Sequence, residues 1–524
     1  MRQKWYIGLA FICTFLILRR VLFFDDSIWF LLVFCIVAVI FVYDVFQKKH
    51  SILRNFPILG HFRFLFEFIR PELRQYLLSN DGEELPFNRE TRSLIYQRAK
   101  NERDTIAFGG EKNLLAIGYT WMLHSITPKS PLEVEPRISI GGPDCLKPYL
   151  ASRLNISAMS FGSLSPHALM ALNQGAKIGG FAQNTGEGGI SPYHLQGGDI
   201  VFQLGTGYFG CRDEHGHFDA QEFTTESNRD EVKMIEVKLS QGAKPAHGGI
   251  LPAAKLTPEI AKVRKVPMGH DVLSPIAHTA FDTPLGLLQF IKKLRTLSGG
   301  KPIGFKLCVG RKDQFLGICK AMLETNILPD FITIDGAEGG TGAAPIEYVN
   351  YIGEPLESGL TFVHDALVGV GLRDKIRLIC SGKITNGYDL VLRIAMGADI
   401  CNSARAFMMA TGCVQSKQCN ANTCPTGVAT QDKRLQRGLV VDEKKHRVAD
   451  YHQNTIKSFK ELVGAIGLTN PSDLKPHHIM RRLSQTSAKP LDEIYQYLEP
   501  GQLLSANIPE NYQTDWELAS AERF

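Results

Sequence analysis

Between residues 131 and 430, short apolar, β-branched runs alternate with helix-like stretches, and this alternation limits what the chain can fold into more than any other feature. Eight runs stand out, at 156–160, 181–184, 234–238, 271–274, 304–308, 331–335, 377–381 and 399–403. Helical patterns lie between them, as at 166–178, 284–298, 311–325, 363–372 and 385–396. Parallel strands need long crossovers, which helices supply. Eight such units predict an α/β fold, a (β/α)8 TIM barrel, with a doubly wound open sheet as the alternative. Almost every run ends in polar or glycine-rich text: Met159-Ser160, Asn184-Thr185-Gly186-Glu187, Lys306, Asp335-Gly336, Ser381-Gly382-Lys383 and Ser403-Ala404-Arg405. Those are the carboxyl ends of the strands, where barrel active sites form.

The flanking text differs. Residues 28–43 carry no charge, Trp29 and Tyr43 sit near their ends, and Lys48, Lys49 and Arg54 follow. A shorter apolar run, 5–18, stops at Arg19-Arg20. Together they predict a transmembrane hairpin within residues 1–50, in contact with membrane lipid. The flanking lysines then place the chain at the cell membrane with its catalytic domain cytoplasmic. A cleaved signal peptide and a buried helical hairpin are the alternatives. Residues 51–130 read as an amphipathic helical segment, 131–435 as the barrel with a cysteine loop, and 436–524 as a charged helical tail. Lys and Arg exceed Asp and Glu by only five, with no basic run, which gives no footprint for nucleic acid. Eleven cysteines, odd in number and mostly within apolar runs, suit reduced thiols.

Three constellations carry chemistry. Cys413, Cys419 and Cys424 form C-x5-C-x4-C, the last followed by Pro425. Soft thiolates at this density suit an iron–sulfur cluster, zinc, or merely buried thiols. Zinc normally takes a paired C-x2–4-C and a fourth ligand, and none lies nearby, so three ligands fit a three-iron cluster better. Ser381-Gly382-Lys383 and Ser403-Ala404-Arg405 end the seventh and eighth runs, where barrels bind cofactor phosphates. Asp335 and the glycine-rich text after it, including Gly340, add backbone donors, unless these glycines only serve turns. Lys306 ends an apolar run and is placed to offset charge on a reduced flavin, if it is not simply a surface lysine. The G-x-G-x-x-G at 205–210 is a decoy, because turn-like text follows it rather than a helix.

Taken together these segments resemble the FMN-binding synthase domain of the glutamate synthase family. The likeness runs through ISAMSFGSLS (156–165), NTGEGG (184–189), QGAKP (241–245), DGAEGGTGAAP (335–345), GLRD (371–374) and the cysteine text at 412–431. The resemblance implies a (β/α)8 barrel, one FMN, and a 3Fe–4S cluster on Cys413, Cys419 and Cys424. It implies reduction of 2-iminoglutarate, made from 2-oxoglutarate, to L-glutamate, with electrons from a donor protein. Met159 and Ser160 match the segment beside the flavin. Lys306, Asp335, Gly340, Ser381, Gly382, Lys383, Ala404 and Arg405 match flavin-contacting segments. Glu187, Lys244 and Arg264 match polar positions around the 2-oxo acid.

The departures bear on substrate. Where the family has GAKPGEGGQLPG, this chain has GAKPAHGGILPA, so His247 replaces a glutamate and Ile250 a glutamine that helps hold the keto acid. The family's SPPPHHDIY becomes SPIAHTAFD at 274–282. The chain starts Met1-Arg2 rather than with a catalytic cysteine, and the expectation is that nitrogen comes as ammonia or from a separate glutaminase. Three functions follow: a glutamate-synthase-like oxidoreductase, a membrane flavoprotein acting on another amino or oxo acid with a protein or quinone acceptor, and a barrel scaffold without turnover.

Overall fold

Eight parallel strands close into a barrel: β1 (Leu154–Ile156), β2 (Ala182–Asn184), β3 (Asp199–Leu204), β4 (Val232–Lys238), β5 (Ile303–Leu307), β6 (Phe331–Asp335), β7 (Arg377–Ser381) and β8 (Ile400–Ser403). Each pairs with the next, and β8 returns to β1 through Cys401↔Leu154 and Ser403↔Ile156, so no edge is left open. The computed structural model describes residues 28–524. The TIM barrel expected from the alternation is present, and the open-sheet alternative is not.

The strand count was reached by two offsetting errors. The run at 271–274 is no barrel strand: Val272–Leu273 pairs antiparallel with Ile250–Leu251 inside the long β4–β5 connection. The barrel strand missed is β3, which leads directly into the G-x-G-x-x-G text. Its apolar run is short, with Asp199 at its head and Gln203 inside it, whereas most of the strands found are apolar along their length. The 205–210 glycines are followed by a turn and an Arg212↔Phe218 bridge, and the next helix starts only at Ala220.

The expected helices form where their caps are. Ser165 accepts from the Ala168 amide at the head of Pro166–Gly179, and Thr283 does the same for Gly286 at Pro284–Leu297. Asn386 and Asp389 make a reciprocal capping box on Gly387–Ala395. The barrel floor is apolar, with Ala182, Val201, Met234, Phe331, Ile379 and Ile400 packed against Tyr149 and Ile140 of the hairpin that precedes β1. Above it lies a polar layer. The buried Glu236 carboxylate accepts from Asn184 Nδ2 (2.8 Å), Gln203 Nε2 (2.6 Å) and Thr333 Oγ1 (2.6 Å).

Residues Thr91–Phe524 make one compact unit. Within it, the long helix Val441–Ile466 lies against Pro166–Gly179, so closely that a Cβ on Gly175 would sit 2.5 Å from Val448 Cγ1. Further on, Ile479–Arg482 pairs antiparallel with both Thr120–Met122 and Ala488–Pro490.

The other unit ends at Glu90. Its first described helix, Ile28–Phe46, holds the charge-free run. Among the described residues no helix is long and apolar enough to cross a membrane. At 1.5 Å per residue the charge-free run covers roughly 24 Å, short of the ~30 Å hydrocarbon layer. Extension past Tyr43 brings in Asp44, a buried carboxylate that accepts from the Ile58 amide (2.9 Å) and pairs with His61 Nε2 (2.9 Å). The expected spanning hairpin, its lipid contact and the cell-membrane localisation are therefore corrected. The earlier run at 5–18 lies outside the described residues.

Candidate active site at the barrel mouth

The strand ends gather an unusual excess of buried cations around one carboxylate. Glu187, in the loop after β2, meets Lys238 Nζ of β4 at 2.9 Å. Burial pushes its carboxyl up, but Lys238, Lys244 and Arg264 outweigh that and hold it down at about 2. Lys244 comes from the turn after β4 and donates from Nζ to the Ala343 carbonyl at 2.8 Å; burial pulls it down to about 8 against the attraction of Glu187. Arg264 ends the helix Pro258–Arg264, which starts at the Thr257 cap. Its Nη2 donates to the Phe161 carbonyl (3.0 Å) and Ser160 Oγ (3.3 Å), and its guanidinium lies 5.2 Å from the centre of the Phe209 ring. Burial brings it down to about 10, and its buried Nε has no partner.

Lys306 of β5 stands directly across from Lys238 in the strand register and is buried, not a surface lysine. Met159 and Ser160 lie just beyond β1, in the loop that Arg264 touches. Sequence reasoning thus brought Met159, Ser160, Glu187, Lys244, Arg264 and Lys306 to one place. It missed Lys238, although a strand-end lysine in MIEVK is the same signal that drew attention to Lys306. It also passed over His278, whose ring bridges the Tyr208 hydroxyl (2.8 Å) and the Lys238 carbonyl (2.9 Å) and is held neutral by burial, down to about 4.

A second group occupies the β6, β7 and β8 ends. Asp335 Oδ2 accepts from the Gly242 amide at 2.9 Å, tying the β4 and β6 loops together. Ser381 Oγ lies 3.2 Å from Ser157 Oγ across the barrel. Gly382 has φ +156° and Lys383 φ +54°, so the chain turns sharply here, at Lys383 through the left-handed region that side chains rarely adopt. Ala404 precedes the short helix Arg405–Thr411. The Arg405 guanidinium donates to the Glu338 carbonyl at 2.6 Å and runs so close to Gly340 that a Cβ there would meet its Cδ at 2.8 Å. Burial lowers Arg405 and Lys383 alike, with each partly offset by nearby carboxylates.

The cysteine loop follows. All the described cysteines are free. Burial pushes the Cys413 thiol up to about 12, the nearby Cys419 and Cys424 add to the rise, and the Gln415 amide donating to its sulfur opposes it. Burial and Cys424 raise Cys419, and Lys255 opposes them. The three thiols therefore lie within one another's field. Among the described residues no three Cys, His, Asp or Glu side chains form a group that could hold a metal ion.

Comparison with known proteins decides the family. The description "Conserved region in glutamate synthase" matches residues 124–469. The chain belongs to the glutamate synthase family. It is accordingly a glutamate-synthase-like oxidoreductase. The glutamate synthase large subunit-like protein YerD of Bacillus subtilis (strain 168) is 37% identical over 504 residues, covering 88% of this chain and 95% of that one. The archaeal-type glutamate synthase (NADPH) of Thermotoga neapolitana is 31% identical, covering 63% of each chain. The glutamate synthase (NADPH) large chain of Bacillus subtilis is also 31% identical, across 70% of this chain but 24% of that one. The chain thus spans less than two thirds of the last two.

Against this glutamate synthase background, the departures have clear positions. His247 packs edge-on against Tyr348 at 5.0 Å, and its Nδ1 donates to the Gly248 carbonyl at 2.7 Å. Together with Ile276 it lines a small cavity beside Glu187 and Lys238. Ile250 begins the two-residue ribbon with Leu273. Gly249, between them, approaches Glu187 so closely that a Cβ would meet Oε1 at 2.6 Å.

Proposed function

We propose that the barrel mouth binds FMN and that the chain carries out reductive amination of 2-oxoglutarate, by way of 2-iminoglutarate, to L-glutamate. The observation behind this reading is the charge balance: Lys238, Lys244 and Arg264 surround Glu187, and Lys306 adds a further cation against Asp335. Two cations in excess suit a substrate with two carboxylates, held by charge-assisted hydrogen bonds. Arg264 has an unpartnered, buried Nε–H to give, and its guanidinium lies over the Phe209 ring. Glu187, ionised at neutral pH, orients Lys238 and is placed to accept from a substrate N–H. His278, neutral and bonded at both ring nitrogens, holds the Lys238 backbone in place.

The β7 and β8 ends fit a phosphate: backbone amides around Gly382, with Lys383 and Arg405 as cations. Met159, Ser160, Asp335, Gly340, Ser381 and Ala404 complete the walls, and Lys306 supplies positive charge toward the ring system. Cys413, Cys419 and Cys424 keep the spacing of the family's 3Fe–4S ligands, but the described side chains do not come together as a group that could hold a metal ion. When bound, FMN would supply hydride for the imine carbon, with electrons coming from a donor protein. Nitrogen enters as ammonia or from a separate glutaminase.

The test uses the full chain, purified without oxygen, given a reduced donor, 2-oxoglutarate and ammonium. Glutamate formed in step with donor oxidation supports the reading. A flavin-loaded protein that makes none with any donor overturns it. His247 and Ile250 favour a second reading, a flavoprotein that acts on another amino or oxo acid and passes electrons to a protein or quinone partner. Bleaching of the flavin by an amino or hydroxy acid other than glutamate would select it.

A further inference from the structure

The small cavity beside Glu187 and Lys238 is walled by Thr206, Ser240, His247 and Ile276, and it has room for about one water-sized molecule. The side chains on its wall have already committed their hydrogens. Thr206 Oγ1 donates to the Pro275 carbonyl at 2.6 Å, and Ser240 Oγ to the Cys308 carbonyl at 3.4 Å. The Nδ1 hydrogen of His247 goes to the Gly248 carbonyl at 2.7 Å, which leaves the lone pair of the neutral ring on Nε2. Among the described residues that Nε2 has no partner. Glu187, ionised, can only accept. Lys238 is the side-chain donor on the wall, and Glu187 and Gln241 take up two of its three N–H. The cavity therefore offers acceptors to a guest of water's size. Lys238 already matches the charge of Glu187, so a neutral guest fits better than a cation. Ammonia meets both conditions, with three N–H where water has two O–H.

We propose that this cavity holds the ammonia that becomes the amino group of the product, with His247 Nε2 as one of its acceptors. The fate of that nitrogen rests on the reductive amination proposed above. With its N–H bonds engaged by the wall, ammonia keeps its lone pair free. That pair forms the C–N bond to the keto carbon. Two protons pass from nitrogen to the carbonyl oxygen, which leaves as water, and the imine remains. The departure at 247, histidine for glutamate, thus exchanges one acceptor for another and removes a negative charge. A space for one water-sized molecule also shuts out methylamine.

The test compares full-length wild type, His247→Phe, His247→Gln and Thr206→Val. Phenylalanine keeps a ring without an acceptor; glutamine returns an acceptor oxygen; valine takes the acceptor from the other wall and leaves His247 in place. Thermal unfolding is followed with ammonium chloride, potassium chloride and methylammonium chloride at equal ionic strength. The expected result is a saturable stabilisation of wild type by ammonium alone, growing as pH is raised and free ammonia with it. The half-saturating concentration should rise about tenfold in H247F and T206V, the loss of one hydrogen bond, and return most of the way in H247Q. The KM for ammonium in glutamate formation should move by the same factor, while that for 2-oxoglutarate stays. No stabilisation of wild type by ammonium, an equal one by potassium or methylammonium, or one unchanged in H247F overturns the site. A wild type that ammonium stabilises in this way, yet that makes no glutamate with any donor, overturns the reductive amination and the fate of the nitrogen, while the binding result stands.

Discussion

Lys238 Nζ lies 2.9 Å from Glu187 Oε1 and donates at 2.6 Å to Gln241 Oε1, so one buried ammonium joins the loops after β2 and β4. Removing it takes away the only cation in direct contact with Glu187 among the described residues. Lys238→Met is expected to cost about 3–5 kcal/mol of stability, the usual penalty for breaking a buried pair from one side. The double variant with Glu187→Gln is expected to recover part of that loss while remaining inactive. Thermal unfolding of the four proteins in the cycle checks this, and additive losses would contradict the coupling.

Acid sensitivity follows from the same carboxylate. Glu187 is held at about 2 in the folded chain, below an unfolded value near 4.3. A depressed acid stabilises fully above the unfolded value, and that stabilisation is lost as pH falls from about 4.3 toward 2. Denaturant unfolding between about pH 6 and pH 3 should show a steeper loss for wild type than for Glu187→Gln. Parallel curves would mean the pair contributes nothing.

Asp365 has the opposite sign. It sits in the helix Leu356–Gly369, buried, with Oδ1 unpartnered, and burial pushes it up to about 8. Between its unfolded value near 3.9 and about 8, the folded chain holds a proton that the unfolded chain has released, so stability falls as pH rises. Asp365→Asn removes that slope and is expected to add about 1–3 kcal/mol near pH 8, with little change near pH 4. Equal effects at both pH values would refute this.

Arg405 is the cation placed against Gly340 and the Glu338 carbonyl. Arg405→Met is expected to weaken FMN binding about 10- to 150-fold, the equivalent of one charge-assisted hydrogen bond. Quenching of flavin fluorescence on titration into apoprotein measures it. Unchanged affinity would move the phosphate elsewhere.

The β6 and β7 strands were legible to the residue because a central parallel strand is a bounded apolar run with a polar end. β3 was hidden by its own loop, whose glycines looked like a nucleotide motif and drew attention away from the six residues before them. The run at 271–274 looked the same as a strand locally, and only the partner across from it, Ile250–Leu251, decides that it lies outside the barrel. Glu187 and Lys244 stand in text that resembles the family, in NTGEGG and QGAKP, and the structure brings Arg264 beside them. The apolar run at 28–43 misled for a related reason: hydropathy does not show that the extension it needs contains Asp44, turned inward to His61.

The β8–β1 seam has a consequence for synthesis. Leu154 and Cys401 pair although nearly the whole barrel is made between them. A growing chain therefore carries two unpaired strand edges until Ser403 has left the ribosome, and the helix Val441–Ile466 settles over Gly175 later still. Chains that stop short of that point keep sticky edges open to other chains. The barrel is therefore fastened by a strand made late in the chain, and the helix Val441–Ile466 then covers Pro166–Gly179 from outside.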